Sequence, residues 1–447
     1  MAIARRRLSP AQLLTVSVVA LIVTGTVLLA LPAAGGRGRV ALIDAAFTST
    51  SAVCVTGLNV LDTPRDLSLF GQFVLMALIQ LGGLGYMTLT TVVAVAIGRQ
   101  LTVKERLTLH EALNTETMEG LGRFALSVLK LTLAFELTGA ALLALRWLHD
   151  LGAARAAYYG LFHAVSAFNN AGFALFSDNL VRFRGDWLVN LVVCGLIVCG
   201  GLGFVVLREL GHARGLRRLS VHTRLVIGLT ALLIVGATAA LFFLEGRNPA
   251  TLAQLPLHER LLASFFQAVT PRTAGFNTID IGAMAPASLF LLMILMFIGA
   301  SPGGTGGGVK VTTFGITVAA LVATVRGRAD TTLFRRRVAP EIVTRAFFIS
   351  LIAFLALNTI AGLLLVFEGR QLLPTLFETT SAFGTVGLSM GEGGPLSLAG
   401  HFSAPGKLLL MAMMLAGRVG PLTLAVALAG GGTPPRVRYP EGRVLIG

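Results

Sequence analysis

The chain of 447 residues is 55% hydrophobic and only 13% charged, with a mean hydropathy of +0.80. Soluble domains are about a quarter charged, so this composition excludes a soluble globular protein and predicts a polytopic membrane protein surrounded by lipid. The formal net charge of +15 would favour nucleic-acid binding in a soluble chain. Here the arginines concentrate in loops between apolar segments, so no nucleic-acid partner is expected.

One order of predicted elements occurs four times along the chain: a spanning helix, a short apolar segment, a loop and a second spanning helix. The first helices are predicted at 13–31, 124–148, 225–244 and 342–367, and the second helices at 67–97, 187–207, 287–325 and 407–428. The short segments at 40–51, 154–166, 257–269 and 372–381 cannot cross, because a span needs about 20 residues. We therefore expect an all-α protein with eight transmembrane helices and four re-entrant pore helices, in units 1–98, 99–208, 209–328 and 329–447.

The loops after the short segments are similar in sequence. They read T-S-A-V-C-V-T-G-L, V-S-A-F-N-N-A-G-F, A-V-T-P-R-T-A-G-F and T-S-A-F-G-T-V-G-L, with aligned glycines Gly57, Gly172, Gly275 and Gly387. Recurrence at roughly a hundred residues is typical of an internal repeat. One intramembrane glycine usually serves close helix packing, but four aligned glycines after four re-entrant segments favour a shared site.

The placement of arginine and lysine predicts the topology. These residues are more frequent at the chain ends and at the joints between units than inside the units. The positive-inside rule then places both termini and all joints in the cytoplasm. Every unit has the same orientation as a result, so the repeats are parallel and can surround a central pore.

Backbone polarity suggests what such a pore carries. Irregular backbone at membrane depth is tolerated only where it is buried in protein or lines a water-filled cavity. Loop carbonyls can replace the hydration shell of a cation, and the carboxyl-terminal end of each pore-helix dipole favours positive charge. The sequence therefore predicts a cation pathway.

The four-unit layout, the loop endings and the tail motif A-G-R-V-G-P-L-T resemble the Ktr/Trk/HKT superfamily of potassium transporters over nearly the whole chain. Without an additional amino-terminal pair of spans, the chain is most similar to the bacterial KtrB-type membrane subunits. The resemblance implies a K⁺ filter, and Gly57 favours K⁺ because serine stands there in sodium-favouring relatives. The filter residues it implies are Val53, Cys54, Val55, Thr56, Gly57, Phe168, Asn169, Asn170, Ala171, Gly172, Pro271, Arg272, Thr273, Ala274, Gly275, Phe383, Gly384, Thr385, Val386 and Gly387.

Two features suggest a gate. Residues 299–310 read G-A-S-P-G-G-T-G-G-G-V-K and interrupt the second helix of the third unit, because glycine and proline disfavour helix. A plain linker is the alternative, whereas the resemblance implies an intramembrane loop that obstructs ion flow. The lone Arg418 needs a cavity or a partner, because lipid exposure costs about 2.5–3.5 kcal/mol. The predicted gate residues are Gly303, Gly304, Thr305, Gly306, Gly307, Gly308, Lys310 and Arg418.

Other polar residues are expected to have structural roles. Asp44, Glu378 and Asn169 lie on or beside pore helices, where we expect them to hold loops rather than to bind ions. Glu136 is a candidate partner for a buried cation. An intramembrane enzyme would need paired aspartates or an H-E-x-x-H motif, and the sequence has neither.

The prediction is a potassium uptake subunit without a covalent cofactor that transports K⁺, with Na⁺ as a candidate coupling or activating ion. A less selective sodium/potassium transporter or a secondary cation symporter is the alternative. No nucleotide-binding fingerprint follows a strand pattern. The resemblance implies a cytoplasmic KtrA-like nucleotide-binding ring and a homodimer in the inner membrane. The joints around Arg217 and Arg335 are candidate contacts for the ring, although ordinary topology explains them as well.

Overall fold

The computed structural model describes residues 10–85, 121–213, 215 and 218–429. This part of the chain contains one antiparallel hairpin, β1 (Thr332–Leu333) and β2 (Arg336–Arg337), and sixteen α-helices. The helices are α1 (Pro10–Leu29), α2 (Leu42–Val53), α3 (Thr63–Asp66), α4 (Leu69–Leu84), α5 (Leu121–Leu151), α6 (Ala153–Phe168), α7 (Trp187–Leu202), α8 (Phe204–His212), α9 (Val221–Glu245), α10 (Leu257–Val269), α11 (Pro286–Phe297), α12 (Val311–Val325), α13 (Pro340–Glu368), α14 (Leu372–Gly384), α15 (Ala404–Val419) and α16 (Pro421–Ala429).

The predicted order of elements recurs in four units. Within the described ranges, α1, α5, α9 and α13 are the four unbent helices long and apolar enough to cross a membrane, and they are the predicted first helices. The pore helices α2, α6, α10 and α14 have 12 to 16 residues, which is too short to span. The all-α, four-repeat fold class is thereby confirmed, with the β1–β2 hairpin as a small addition. The unit boundaries stay a prediction, because residues 86–120 lie outside the described part.

The second helices are broken, and here the prediction of continuous spans was wrong. Helix α7 bends by 99° into α8 at Gly203, and α15 gives way to α16 at Gly420. Helix α4 ends before Gly85, and residues 86–97 of that predicted span lie outside the described residues. The φ angles of Gly85, Gly203 and Gly420 are +77°, +89° and +94°, and a right-handed helix cannot contain such angles. Only the break between α11 and α12 was expected.

The four units surround a common axis in chain order. Their outer loops touch in sequence: Asp62 accepts a 2.8 Å hydrogen bond from Ser177, and Asn277 O accepts one of 3.2 Å from Leu180 N. Gly282 packs against Met390 O, where a Cβ would come within 2.5 Å. The fourth unit returns to the first, because Ser397 N donates to Asn59 O at 2.8 Å. The units therefore form a closed ring.

Side-chain polarity is arranged as a membrane protein requires. Large apolar side chains of the first helices face outwards, and Val23, Leu145, Val235 and Phe354 are each more than half exposed. The pore helices α2 and α14 are instead rich in hydroxyl groups, and most of their residues are buried. Lipid thus meets hydrocarbon, while the polar residues lie around the axis.

An ion pair ties the first unit to the fourth. Lys407 Nζ of α15 donates to Asp44 Oδ1 of α2 at 2.7 Å, and both side chains are at most a quarter exposed. Asp44 lies in the first turn of the pore helix, where a carboxylate also interacts well with the helix dipole. Asp44 was expected to hold a loop, whereas its partner in the structure lies on helix α15.

We predict that Lys407→Met lowers the free energy of unfolding by about 2 kcal/mol, because a hydrogen bond between charged groups is lost. Asp44→Asn should cost a similar amount. The double variant should cost less than the two single changes together, since the groups are in contact. Thermal unfolding of the purified protein in detergent measures the three values, and strictly additive effects would contradict this coupling. The exposed pair Arg182 and Asp178 serves as a control with little effect.

Candidate functional site

The four loops after the pore helices share one backbone conformation. The residue two positions before each aligned glycine has a left-handed φ, although none of the four is glycine. These residues are Val55 (+56°), Asn170 (+61°), Thr273 (+76°) and Thr385 (+49°). The glycines follow at φ of +89°, +70°, +78° and +92° for Gly57, Gly172, Gly275 and Gly387. Non-glycine residues keep such angles only where their surroundings enforce them, so the repeat in sequence is a repeat in structure.

Hydroxyl groups at the ends of the pore helices brace these loops. Ser51 Oγ accepts from Gly57 N at 3.0 Å and donates to Leu58 O at 3.0 Å. Ser381 Oγ accepts from Gly387 N at 3.0 Å. In the other units the hydroxyls of Ser166 and Thr270 donate to Phe173 O and Phe276 O. We did not predict this role, although a serine six residues before the glycine is visible in three of the repeats.

The four aligned glycines form a closed ring. A Cβ at Gly57 would lie 2.4 Å from Ala171 O of the second unit, and one at Gly172 would lie 2.8 Å from Ala274 O of the third. A Cβ at Gly275 would lie 2.4 Å from Val386 O, and one at Gly387 would lie 2.2 Å from Thr56 O, which closes the circle. Any side chain would therefore collide with the backbone of the next unit.

The carbonyl groups of the residues that precede the four glycines lack hydrogen-bond donors in the described part of the chain. Among the described residues, no hydrogen-bond donor contacts the carbonyl oxygens of Thr56, Ala171, Ala274 and Val386, although all four residues are buried. A buried carbonyl without a partner is costly in a membrane interior. Every residue predicted for the filter is buried.

Arg272 is the unusual member of that set. Its side chain points away from the ring, and Nη2 donates to Thr230 Oγ1 of α9 at 3.1 Å. Only 6% of the residue is exposed, and Nη1 has no hydrogen-bond partner among the described residues. The Arg272 side chain thus connects its loop to α9.

The intramembrane loop, residues 299–310, lies against the ring on the side where the pore helices end. Gly307 N donates to Thr385 Oγ1 at 3.0 Å, and Thr305 Oγ1 donates to Phe168 O at 3.2 Å. A Cβ at Gly306 would lie 2.0 Å from Thr273 Oγ1. The loop therefore contacts the second, third and fourth glycine loops, and its glycines permit this close approach.

Arg418 and Lys310 hold the intramembrane loop in place. The Arg418 guanidinium donates to Thr305 O of this loop and to Gly82 O at the end of α4. Lys310 Nζ donates to Gly306 O at 2.6 Å. Arg418 therefore links the fourth, third and first units, and all the predicted gate residues lie in one region of the structure.

The structure also shows the hydrogen-bond partners of Glu378 and Glu136. Glu378 accepts from Ser389 Oγ at 2.6 Å and from Ala399 N at 2.9 Å, so it holds an outer loop as expected. No cation pairs with Glu136 within the described ranges; the amides of Gln80 and Asn169 are its partners instead. Within the described residues, Glu136 is therefore held by amide groups, and a buried cation as its partner stays a prediction.

The family model of TrkH, a cation transport protein, matches residues 6–430. The chain belongs to this family. Ktr system potassium uptake protein B of Bacillus subtilis is 39% identical over 441 residues, covering 99% of this chain and 97% of that protein. Potassium/sodium uptake protein NtpJ of Enterococcus hirae is 36% identical over 453 residues, covering 99% and 98%.

The fold of this TrkH-family chain also matches a solved structure. The potassium transporter TrkH from Vibrio parahaemolyticus superposes with a TM-score of 0.75 at 20% identity, covering 96% of this chain and 86% of that one. At this identity the likeness establishes the fold alone. The relatives named here are all transport proteins and none is an enzyme, in agreement with the prediction.

The hydroxyl braces give a testable prediction. Ser381→Ala removes the acceptor of Gly387 N in a buried site, which should lower the free energy of unfolding by about 1–3 kcal/mol. Ser350→Ala removes only a bond to Ala346 O within α13 and should change stability little. Thermal unfolding of both purified variants measures the difference. Equal stability of the two variants would contradict the bracing role.

Proposed function

We propose that this chain is the ion-translocating membrane subunit of a potassium uptake system. The observation that carries the proposal is the closed ring of four glycines whose neighbouring carbonyls accept no hydrogen bond from the described residues. Buried carbonyl oxygens without donors suit a dehydrated monovalent cation. The relatives named as potassium uptake proteins support K⁺ as the ion.

The glycine loops act as the selectivity filter in this proposal. Each pore helix ends at its loop, so the negative end of its dipole faces the axis and stabilises a cation there. The loop carbonyls replace water around the ion, and the hydroxyl braces hold them at a fixed separation. Discrimination against Na⁺ then depends on how firmly the four loops keep their shape. The relative named potassium/sodium uptake protein is consistent with Na⁺ as a second ion.

The intramembrane loop acts as the gate. Its bonds to Phe168 O, to Thr385 Oγ1 and, through Arg418, to α4 lie across the path on the cytoplasmic side of the ring. A guanidinium in this position also repels cations, by about 4 kcal/mol at 4 Å for an effective dielectric constant near 20. Opening requires these bonds to break together, because the loop contacts the second, third and fourth units directly and is connected to the first through Arg418.

Regulation comes from a partner in this proposal. Two copies of the chain form a dimer in the inner membrane with cytoplasmic termini, and a KtrA-like ring that binds nucleotides contacts the joints. The arginine-rich joints support this orientation. Arg335 is exposed at the tip of the β1–β2 hairpin, where a partner can reach it, while Arg217 lies outside the described residues. The names of the Ktr system relatives support a multi-subunit assembly.

We predict that Gly57→Ser weakens discrimination between K⁺ and Na⁺. The new Cβ would meet Ala171 O at 2.4 Å, so the loop must shift and its carbonyls must move. Inhibition of Rb⁺ uptake by Na⁺ in proteoliposomes is the measurement. Gly362→Ser is a matched control, because a Cβ at that helical glycine meets nothing within 4 Å. Unchanged selectivity in well-folded Gly57→Ser protein would refute the filter assignment.

The gate assignment predicts higher basal flux in two variants. Shortening the stretch 303–308 removes the obstruction, and Arg418→Gln removes the bonds that hold it, so both should conduct faster when the partner is absent. Arg182→Gln, at an exposed position, should behave like the parent. Rb⁺ flux in liposomes containing only this chain measures the effect. If folded forms of both variants conduct no faster than the parent, the stretch is a structural break and not a gate.

A further inference from the structure

Glu136 is a buried carboxylate that the proposed transport mechanism does not use. It lies in α5, the first helix of the second unit, and only 3% of it is exposed. Asn169 Nδ2 donates to Glu136 Oε1 at 2.9 Å, and Gln80 Nε2 donates to Glu136 Oε2 at 3.2 Å. Each carboxylate oxygen therefore has one amide donor, and no described cation compensates its charge. Such a group is expensive to keep in a membrane, which favours a function.

Asn169 connects this carboxylate to the glycine ring. It is the residue that caps α6, and it stands three positions before Gly172. Its Nδ2 also contacts Val165 O and Gln80 Oε1, each at 2.9 Å. The side chain is completely buried, so its amide orientation is set by these partners alone. Glu136 and Gln80 thus fix the first residue of the second glycine loop.

The Asn169 side chain also lies against α4 of the first unit, next to a residue that Arg418 contacts. Gly83 of α4 packs against Asn169 so closely that a Cβ there would lie 2.0 Å from Oδ1. Gly83 O in turn accepts a 3.4 Å bond from Arg418 Nη2. On the other side, the neighbouring Asn170 contacts Thr273 Oγ1 at 3.2 Å in the third unit. A shift of Asn169 would therefore move the second loop against both adjacent units.

We infer that Glu136 is a positioning residue for the second glycine loop: its carboxylate, together with Gln80, orients Asn169 and so sets the carbonyl groups that meet the ion. This inference rests on the proposed filter. Its chemical requirement is two acceptor oxygens facing two amide donors. Glutamine at this position has one oxygen and one NH₂ group, so it must place a donor against a donor or break the contact between Gln80 and Asn169.

Glu136→Gln tests the role in proteoliposomes that contain the full chain. We expect the KM for Rb⁺ to rise about five-fold and the inhibition by Na⁺ to strengthen, because a misplaced carbonyl ring holds the dehydrated ion less well. The matched control is Glu245→Gln. Glu245 is also fully buried on a first helix, but it bonds Asn248, Thr251 and Ala285 N in the outer part of the third unit. That variant should lose stability and keep the parent KM and ion preference.

Gln80→Met is the second variant, for the case that Glu136→Gln does not fold. It removes the amide that contacts both Glu136 and Asn169. KM and Na⁺ inhibition should shift in the same direction as in Glu136→Gln, by a smaller factor. The inference is overturned if both folded variants keep the parent KM and ion preference, or if Glu245→Gln changes them equally. Gly57→Ser in the same assay distinguishes a failure of the positioning role of Glu136 from a failure of the proposed filter. A changed selectivity there with an unchanged Glu136→Gln refutes only the positioning role, whereas no change in either variant refutes the filter as well.

Discussion

The requirement that buried backbone polar groups find partners in a membrane governs this structure. Lipid offers no hydrogen bonds, so each irregular segment must lie inside protein and must satisfy its own donors and acceptors. The four glycine loops meet the demand with hydroxyl braces on one side, as at Ser51 and Ser381. Next to the aligned glycines they leave four buried carbonyls that accept no hydrogen bond from the described residues. A cation is the partner that such carbonyls lack, so the same constraint that shapes the loops suggests their function.

The constraint also explains the breaks in the second helices. A helix that stops within the membrane exposes its last carbonyls, and those carbonyls are where the cationic side chains bind. Arg418 contacts Gly82 O and Gly83 O at the end of α4, and the intramembrane loop takes Gly200 O and Gly417 O through its own amides. The amides of the loop and the carbonyls at the broken helix ends are thus hydrogen-bonded to each other. If the loop is the proposed gate, this arrangement stabilises the closed state through a small number of hydrogen bonds.

Much of this arrangement could be predicted from the chain alone. Apolar runs of spanning length located the four first helices, and helix α10 occupies the predicted residues. The aligned glycines predicted the ring because a recurring Gly at a re-entrant turn has few other physical reasons. Glycines at 85, 203 and 420 gave no comparable signal, since a single Gly inside an apolar run is common and its φ depends on tertiary packing. The amide partners of Glu136 are 33 and 56 residues away in the chain, one in its own unit and one in the first unit, and no local pattern predicts such contacts.

The carbonyls of Thr56, Ala171, Ala274 and Val386 are proposed to bind the transported ion together. Crystals of the protein grown in Rb⁺ and measured at the rubidium absorption edge would locate that ion directly. We expect an anomalous peak on the axis, within coordination distance of all four carbonyl oxygens, that disappears when Rb⁺ is replaced by Na⁺ alone. An ordered Rb⁺ elsewhere in the chain, with the ring unoccupied at saturating Rb⁺, would contradict the claim.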